Sequence, residues 1–124
     1  MKIYLSLPIA ILLFIFSANY AIDILEDDAD AFTRQLSQIE AAIANGNTAE
    51  AAALYEQMTD KWQQEYKKWA LLVDHDKLDD INRLLVKIKI DLDVPQSLAQ
   101  DIAEVKYLLQ SIPRTEQITW QNIL

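Results

Sequence analysis

The chain has 124 residues, 52% of them hydrophobic, with one Gly, three Pro and no Cys, and a formal net charge of −8. That length holds one domain plus an anchor, and so few helix breakers favour helix over sheet. Lack of cysteine excludes disulfides, thiol catalysis and cysteine-based metal centres, and the acidity opposes binding to nucleic-acid phosphates or anionic headgroups.

Lys2 is the sole charge in the first 22 residues, so the remainder carries ten basic and nineteen acidic side chains, a net −9. Residues 3–22 form an uncharged, largely apolar run. As a helix it is about 30 Å long, the thickness of a bilayer hydrocarbon core. Tyr4 and Tyr20 lie near its ends, where amphipathic rings prefer the interface. We expect an uncleaved transmembrane anchor over 1–22 and an extracytoplasmic domain over 23–124. Lys2 before the run and acids after it place the N-terminus in the cytoplasm. The alternative is a secreted protein after signal cleavage, since the apolar centre Ile9–Phe16 is short enough. The cleavage region Ser17–Ala21 is a poor match, with Asn19 at a position that favours a small residue.

The first helix of the domain is predicted from near Asp23 to Asn45, or unbroken out of the anchor, since nothing at 21–24 stops it. Leu25, Ala29, Phe32, Leu36, Ile39 and Ile43 alternate at spacings of four and three, a helical seam. Glu26, Asp27, Asp28 and Asp30 suit a helix start electrostatically. As a calcium loop they lack the alternating ligands and the glycine. Asn45-Gly46-Asn47 is the obvious turn. Gly46 supplies the left-handed position after a helix, and Asn47 or Thr48 caps the next, with Glu50 placed for a capping box.

The second helix is predicted over 48–73. Its seam is Leu54 or Tyr55, Met58, Trp62, Tyr66 (or Glu65), Trp69, then Leu72 and Val73. The third starts at Asp76 as cap, carries Leu78, Ile81, Leu85, Ile88 and Leu92, and stops before Pro95. The fourth carries Leu98, Ile102, Val105, Leu109 and Ile112, and Pro113 closes it. Ile118, Trp120, Ile123 and Leu124 make the tail apolar enough to dock on the bundle. Four seams joined by short loops imply an all-α, antiparallel up-and-down helical bundle following the transmembrane helix.

Three groups invite a functional reading. Trp62, Tyr66 and Trp69 form either an aromatic platform or, as their helical spacing favours, core and core-edge residues. Trp62, Trp69 and Trp120 are the candidate residues for an exposed aromatic edge that receives a partner. His75, Asp76, Asp79 and Asp80 repeat at i,i+4, which on a helix brings an imidazole and carboxylates toward one divalent metal. No second histidine exists, and helix capping explains the same residues. No nucleophile–base pair or Gly-rich phosphate loop appears, so no enzyme, catalytic residue or cofactor is expected. The alanine-rich stretch from Gly46 has no counterpart 34 residues on, which excludes a tetratricopeptide array.

The chain resembles the domain of unknown function 4363 family of small bacterial proteins. The likeness rests on the apolar N-terminal segment, Lys61-Trp-Gln-Gln-Glu-Tyr-Lys-Lys-Trp69, Asp74-His75, Leu78-Asp79-Asp80-Ile81 and the ending Asn122-Ile123-Leu124. It departs at Gly46-Asn47-Thr48, where the pattern leads to a tryptophan soon after the turn. The resemblance implies a membrane-anchored helical protein and transfers no activity or site residue. The expectation is therefore an interaction or scaffold module, held in the membrane by residues 3–22, with an unidentified protein partner or self-association and no nucleic acid. A small-ligand or divalent-metal sensor using the 74–80 segment is the alternative.

Overall fold

The computed structural model describes the backbone of residues 2–123 and the side chains of residues 6–115. Its elements are four helices: α1 (Lys2–Ala44), α2 (Thr48–Leu72), α3 (His75–Asp91) and α4 (Pro95–Ile123). α1 packs on α2 and α4, and α3 packs on the same two, so α1 and α3 face each other diagonally. Phe32 meets Trp62, Tyr55 meets Leu85 and Lys87 meets Asp101. Each of these pairs joins neighbours that run in opposite directions, which makes the domain an antiparallel four-helix bundle.

Of the two readings of the first helix, the unbroken one holds. α1 is a single helix of 43 residues that runs from the apolar segment into the bundle. Its side chains from Ser6 to Ser17 lie outside the bundle, all exposed but half-buried Ile15. Burial begins at Ala18 and continues through Ile22, Leu25, Ala29, Phe32, Leu36, Ile39 and Ala42. One helix thus changes surroundings without a break in its backbone. Pro8 is accommodated within it, near the N-terminal end where few helical bonds are lost.

The α1–α2 turn follows its local chemistry closely. Gly46 has φ 74°. The Asn47 N–H donates to the Ala42 carbonyl at 2.8 Å and the Gly46 N–H to that of Ile43 at 3.0 Å. These two bonds are the Schellman closure of a helix. Asn47 then caps α2: its Oδ1 accepts from the Glu50 N–H at 3.1 Å, and its amide donates to the Glu50 carboxylate at 3.1 Å.

Two expected boundaries are corrected. Asp74, not Asp76, occupies the cap of α3, and it makes no side-chain cap hydrogen bond. Asp76 sits in the first turn, where its charge still favours the positive end of the helix. Pro113 does not close α4, which continues to Ile123. A proline inside a helix costs about 3 kcal/mol. Here Pro113 is buried and lines a cleft with Ala29 on α1, so packing against α1 offsets the lost backbone bond.

The core is the predicted seams: Leu25 to Ile39 of α1, Tyr55 to Trp69 of α2, Leu78 to Ile88 of α3 and Leu98 to Ile112 of α4. Ile43 and Leu92 are only half-buried, and Leu84 joins the core beside Leu85. Phe32, Leu36, Met58, Trp62, Ile81, Leu85, Val105 and Leu109 surround a void of only about 10 Å³ at the bundle centre. Such a gap is too small for a ligand. Truncating Leu36 to Ala should therefore cost about 2–5 kcal/mol. Asn47→Ala should cost about 1 kcal/mol by removing the cap. Urea unfolding of the detergent-solubilised full chain, followed by circular dichroism at 222 nm, measures both.

Candidate interaction surface

The seven-residue repeat of Tyr55, Trp62 and Trp69 puts all three on the inner side of α2. Trp62 is 4% exposed and Trp69 is fully buried. Trp62 stands at the centre of an aromatic layer. Its ring is 5.4 Å from Phe32 at 76°, 5.5 Å from Trp69 at 60° and 6.0 Å from Tyr66 at 74°. All three are edge-on contacts, the geometry the ring quadrupoles favour. Lys61 places its ammonium 5.6 Å from the Phe32 ring centre.

The indole hydrogens are committed inside the bundle. Trp62 Nε1 donates to Asn82 Oδ1 at 2.8 Å, and Trp69 Nε1 donates to Asp28 Oδ2 at 3.1 Å. The Tyr55 hydroxyl donates to the Leu85 carbonyl at 2.8 Å, and burial pushes its pKa up. The aromatic edge expected at Trp62 and Trp69 is thus absent from the surface, because both rings fill the α1–α2–α3 junction. The Trp120 side chain lies outside the described residues. Its backbone belongs to α4.

The metal reading fares no better. His75, Asp76 and Asp79 are exposed and Asp80 is half-buried. Asp80 accepts from Arg83 at 3.1 Å. Among the described residues, no group of three or more His, Asp or Glu side chains is placed to hold a metal ion.

What the surface does offer is apolar. Val86, Ile90 and Val94 are exposed along and beyond α3, with Ile90 at 71%. On α4, Tyr107 is 72% exposed. Tyr107 lines a shallow cleft of about 410 Å³ between α3 and α4 with Asp80, Arg83, Leu84, Glu104 and Leu108. Val86 and Ile90 share a face at i,i+4, a pair too short to stand out beside the longer core seam of α3. A second cleft, about 400 Å³ and more polar, lies between α1 and α4 beside Glu26, Asp30, Gln110 and Arg114.

Four carboxyl groups, in two pairs, sit in unusual surroundings. Asp101 is buried on α4, 3.4 Å from Lys87, and its Oδ2 has no hydrogen-bond partner among the described residues. Asp91 is pushed up from the usual carboxylate range, first by a hydrogen bond with Asp101, then by burial and repulsion. Asp28 is raised mainly by desolvation, against the opposing hydrogen bond from Trp69. Its neighbour Glu65 is lowered, chiefly by Lys68, which lies 2.7 Å away.

Fold and surface together define a four-helix bundle with an overlong, apolar first helix. The chain belongs to the family described as Domain of unknown function (DUF4363), which matches residues 19–123. No curated protein and no solved structure matches it.

The raised pKa of Asp28 has a definite sign. The folded state holds the Asp28 proton more tightly than the unfolded chain, so ionising Asp28 costs stability as pH rises through the window between the two values. Asp28→Asn keeps an oxygen acceptor for Trp69 and removes that titration. The variant should gain on the parent between about pH 4, the unfolded carboxylate range, and pH 7. Glu65 acts in the opposite sense: its contribution is present above the carboxylate range and is lost as pH falls through its lowered value. To first order it is common to both proteins. Thermal melts of the full chain in detergent across that range measure the difference. An equal pH slope in the two proteins contradicts it.

Proposed function

We propose that this protein is a membrane-anchored, non-enzymatic interaction module whose acidic bundle stands on the extracytoplasmic face of the cell membrane. The single observation that carries the reading is the state of α1 from Ser6 to Ser17. This stretch is uncharged, all but one of its side chains are exposed, and it makes no use of the bundle's core. Leu7, Ile9, Ile11, Leu12, Leu13 and Phe16 would stand in water if no bilayer received them. Apolar surface of that extent is strongly disfavoured in water. One helix, α1, is long and apolar enough to cross a membrane.

The interaction role rests on what the bundle provides. Its centre is closed, Trp62 and Trp69 are spent on packing, and apart from Leu71 on α2 its exposed large apolar residues are on α3, on α4 and in the loop between them. A flat helical face with a central aromatic and a charged rim, Tyr107 between Arg83 and Glu104, suits a partner helix. Lys2 before the segment and the acids after it favour an inside N-terminus.

The absence of cysteine makes the topology directly testable. A single cysteine at Gln57, exposed on α2, should react with a membrane-impermeant maleimide in intact cells. One at Ile3, which leaves the Lys2 charge in place, should react only after lysis. The full-length chain should stay with membranes through an alkaline carbonate wash. Release of a shortened chain into the medium would replace the anchor with a signal peptide. Labelling of Ile3→Cys alone in intact cells would invert the orientation.

A further inference from the structure

We infer that the membrane-proximal corner of the bundle, centred on Leu71 in the last turn of α2, docks on the lipid headgroup interface. The anchor is then a two-point attachment rather than a single helix. The inference rests on the membrane reading above and adds a second contact to it.

Leu71 is 87% exposed, the most exposed large hydrophobic residue of the described chain. Nothing in the bundle covers it. Its height can be read from the α1–α2 pairing. Phe32 faces Trp62, and Asp28 accepts from Trp69, so a position on α1 and its opposite on α2 have numbers that add to about 95. Leu71 therefore lies level with Ile24. The uncharged run of α1 ends at Ile22. Two residues of rise put Leu71 about 3 Å outside the hydrocarbon boundary. Headgroup regions extend roughly 5–7 Å beyond that boundary on each side. A leucine at that depth is in the interface, not in water.

The neighbouring side chains fit the same placement. Tyr20 is 68% exposed and lies about 3 Å on the hydrocarbon side of Ile22, an interfacial position for a phenol. Lys67 is exposed on the turn before Leu71, where its long side chain is placed to reach lipid phosphates, while Lys68 pairs with Glu65 at 2.7 Å. Asp23, Glu26 and Asp27 are exposed on α1 at similar heights. They offset the lysines, so the contact is led by apolar burial rather than charge. It should form on zwitterionic phosphatidylcholine and persist in high salt. α1 enters the bundle with no linker, so this corner cannot swing away from the bilayer. The geometry brings Leu71 to the interface whenever the anchor spans.

Single-cysteine variants of the full-length chain, labelled with an environment-sensitive nitrobenzoxadiazole dye in phosphatidylcholine vesicles, test this. Leu71→Cys reports the corner, Phe16→Cys the anchor, and Val86→Cys an exposed apolar site far up α3. The dye at 71 should emit at shorter wavelength than at 86 and be quenched by iodide several-fold less. A spin label near the lipid headgroup should quench it. Iodide access at 71 equal to that at 86, with 16 protected, would overturn the docking inference and leave the anchor standing. Free iodide access at 16 as well would overturn both. Circular dichroism of each variant confirms that the bundle is intact, and Leu71 makes no core contact that its replacement would remove.

Discussion

Everything in this molecule depends on the continuity of α1. Among the described residues its Ser6–Ser17 stretch stands clear of the buried core, and it contributes the face against which both α2 and α4 are laid. Its inner positions from Leu25 to Ile39 recur at intervals of three and four, so the stripe stays on one side for four turns. Below Ala18 the apolar residues no longer follow that stripe and occupy the whole circumference. A helix apolar all round needs an apolar surrounding. The change from stripe to cylinder occurs within one helix, with no turn, glycine or cap. The bundle's tilt and height are consequently fixed by the helix itself.

α2 and α3 are fixed to that spine by rings as much as by aliphatic packing. Trp62 touches Phe32 on α1 and donates to Asn82 on α3, so one side chain sets the register of two neighbours. Trp69 does the same toward the base of α1 through Asp28. An indole has one donor only, and burying it unpaired costs about 1–3 kcal/mol. A slip of one residue along α2 would lose both bonds at once. That is a sharper constraint on register than leucine packing provides, since leucines interdigitate almost equally well in neighbouring registers.

The seams, the Gly46 turn and the Asn47 cap were legible because each is a local rule: a period, a left-handed residue, a short side chain that reaches back to the next N–H groups. Pro113 was misread for the opposite reason. Its local rule says stop, and the packing of α4 on α1, between residues more than eighty apart in sequence, overrides it. The Asp74 boundary failed more mildly, since Asp74 and Asp76 satisfy the same rule. Of the candidate surface, the spacing of Trp62 and Trp69 already favoured core or core-edge positions, but not burial of both rings to full depth. Burial to that degree depends on α3 closing over them. Val86 and Ile90 do share a face at i,i+4, but so short a pair beside the longer Leu78–Ile88 seam does not stand out, and Tyr107 is a single apolar side chain of a kind ordinary on any surface.

The distribution of polar groups inside the bundle separates two kinds of interface. Between α2 and α3 the buried bonds are neutral and complete: phenol to carbonyl at Tyr55, indole to amide at Trp62. Within the α1–α2 and α3–α4 pairs the polar groups are carboxyls at some cost, Asp28 desolvated beside Glu65 and Asp101 with an oxygen unpaired. The α1–α2 and α3–α4 interfaces also bury the longer apolar seams, so they can carry that cost. The α2–α3 interface, where the helices meet more sparingly, has no such reserve and relies on bonds that carry no charge penalty. The bundle is thus built outward from α1, on which α2 and α4 both pack extensively, and is closed between α2 and α3 by a seam held by directional contacts. The α3–α4 face is in turn tied to α1 through α4, which packs along it.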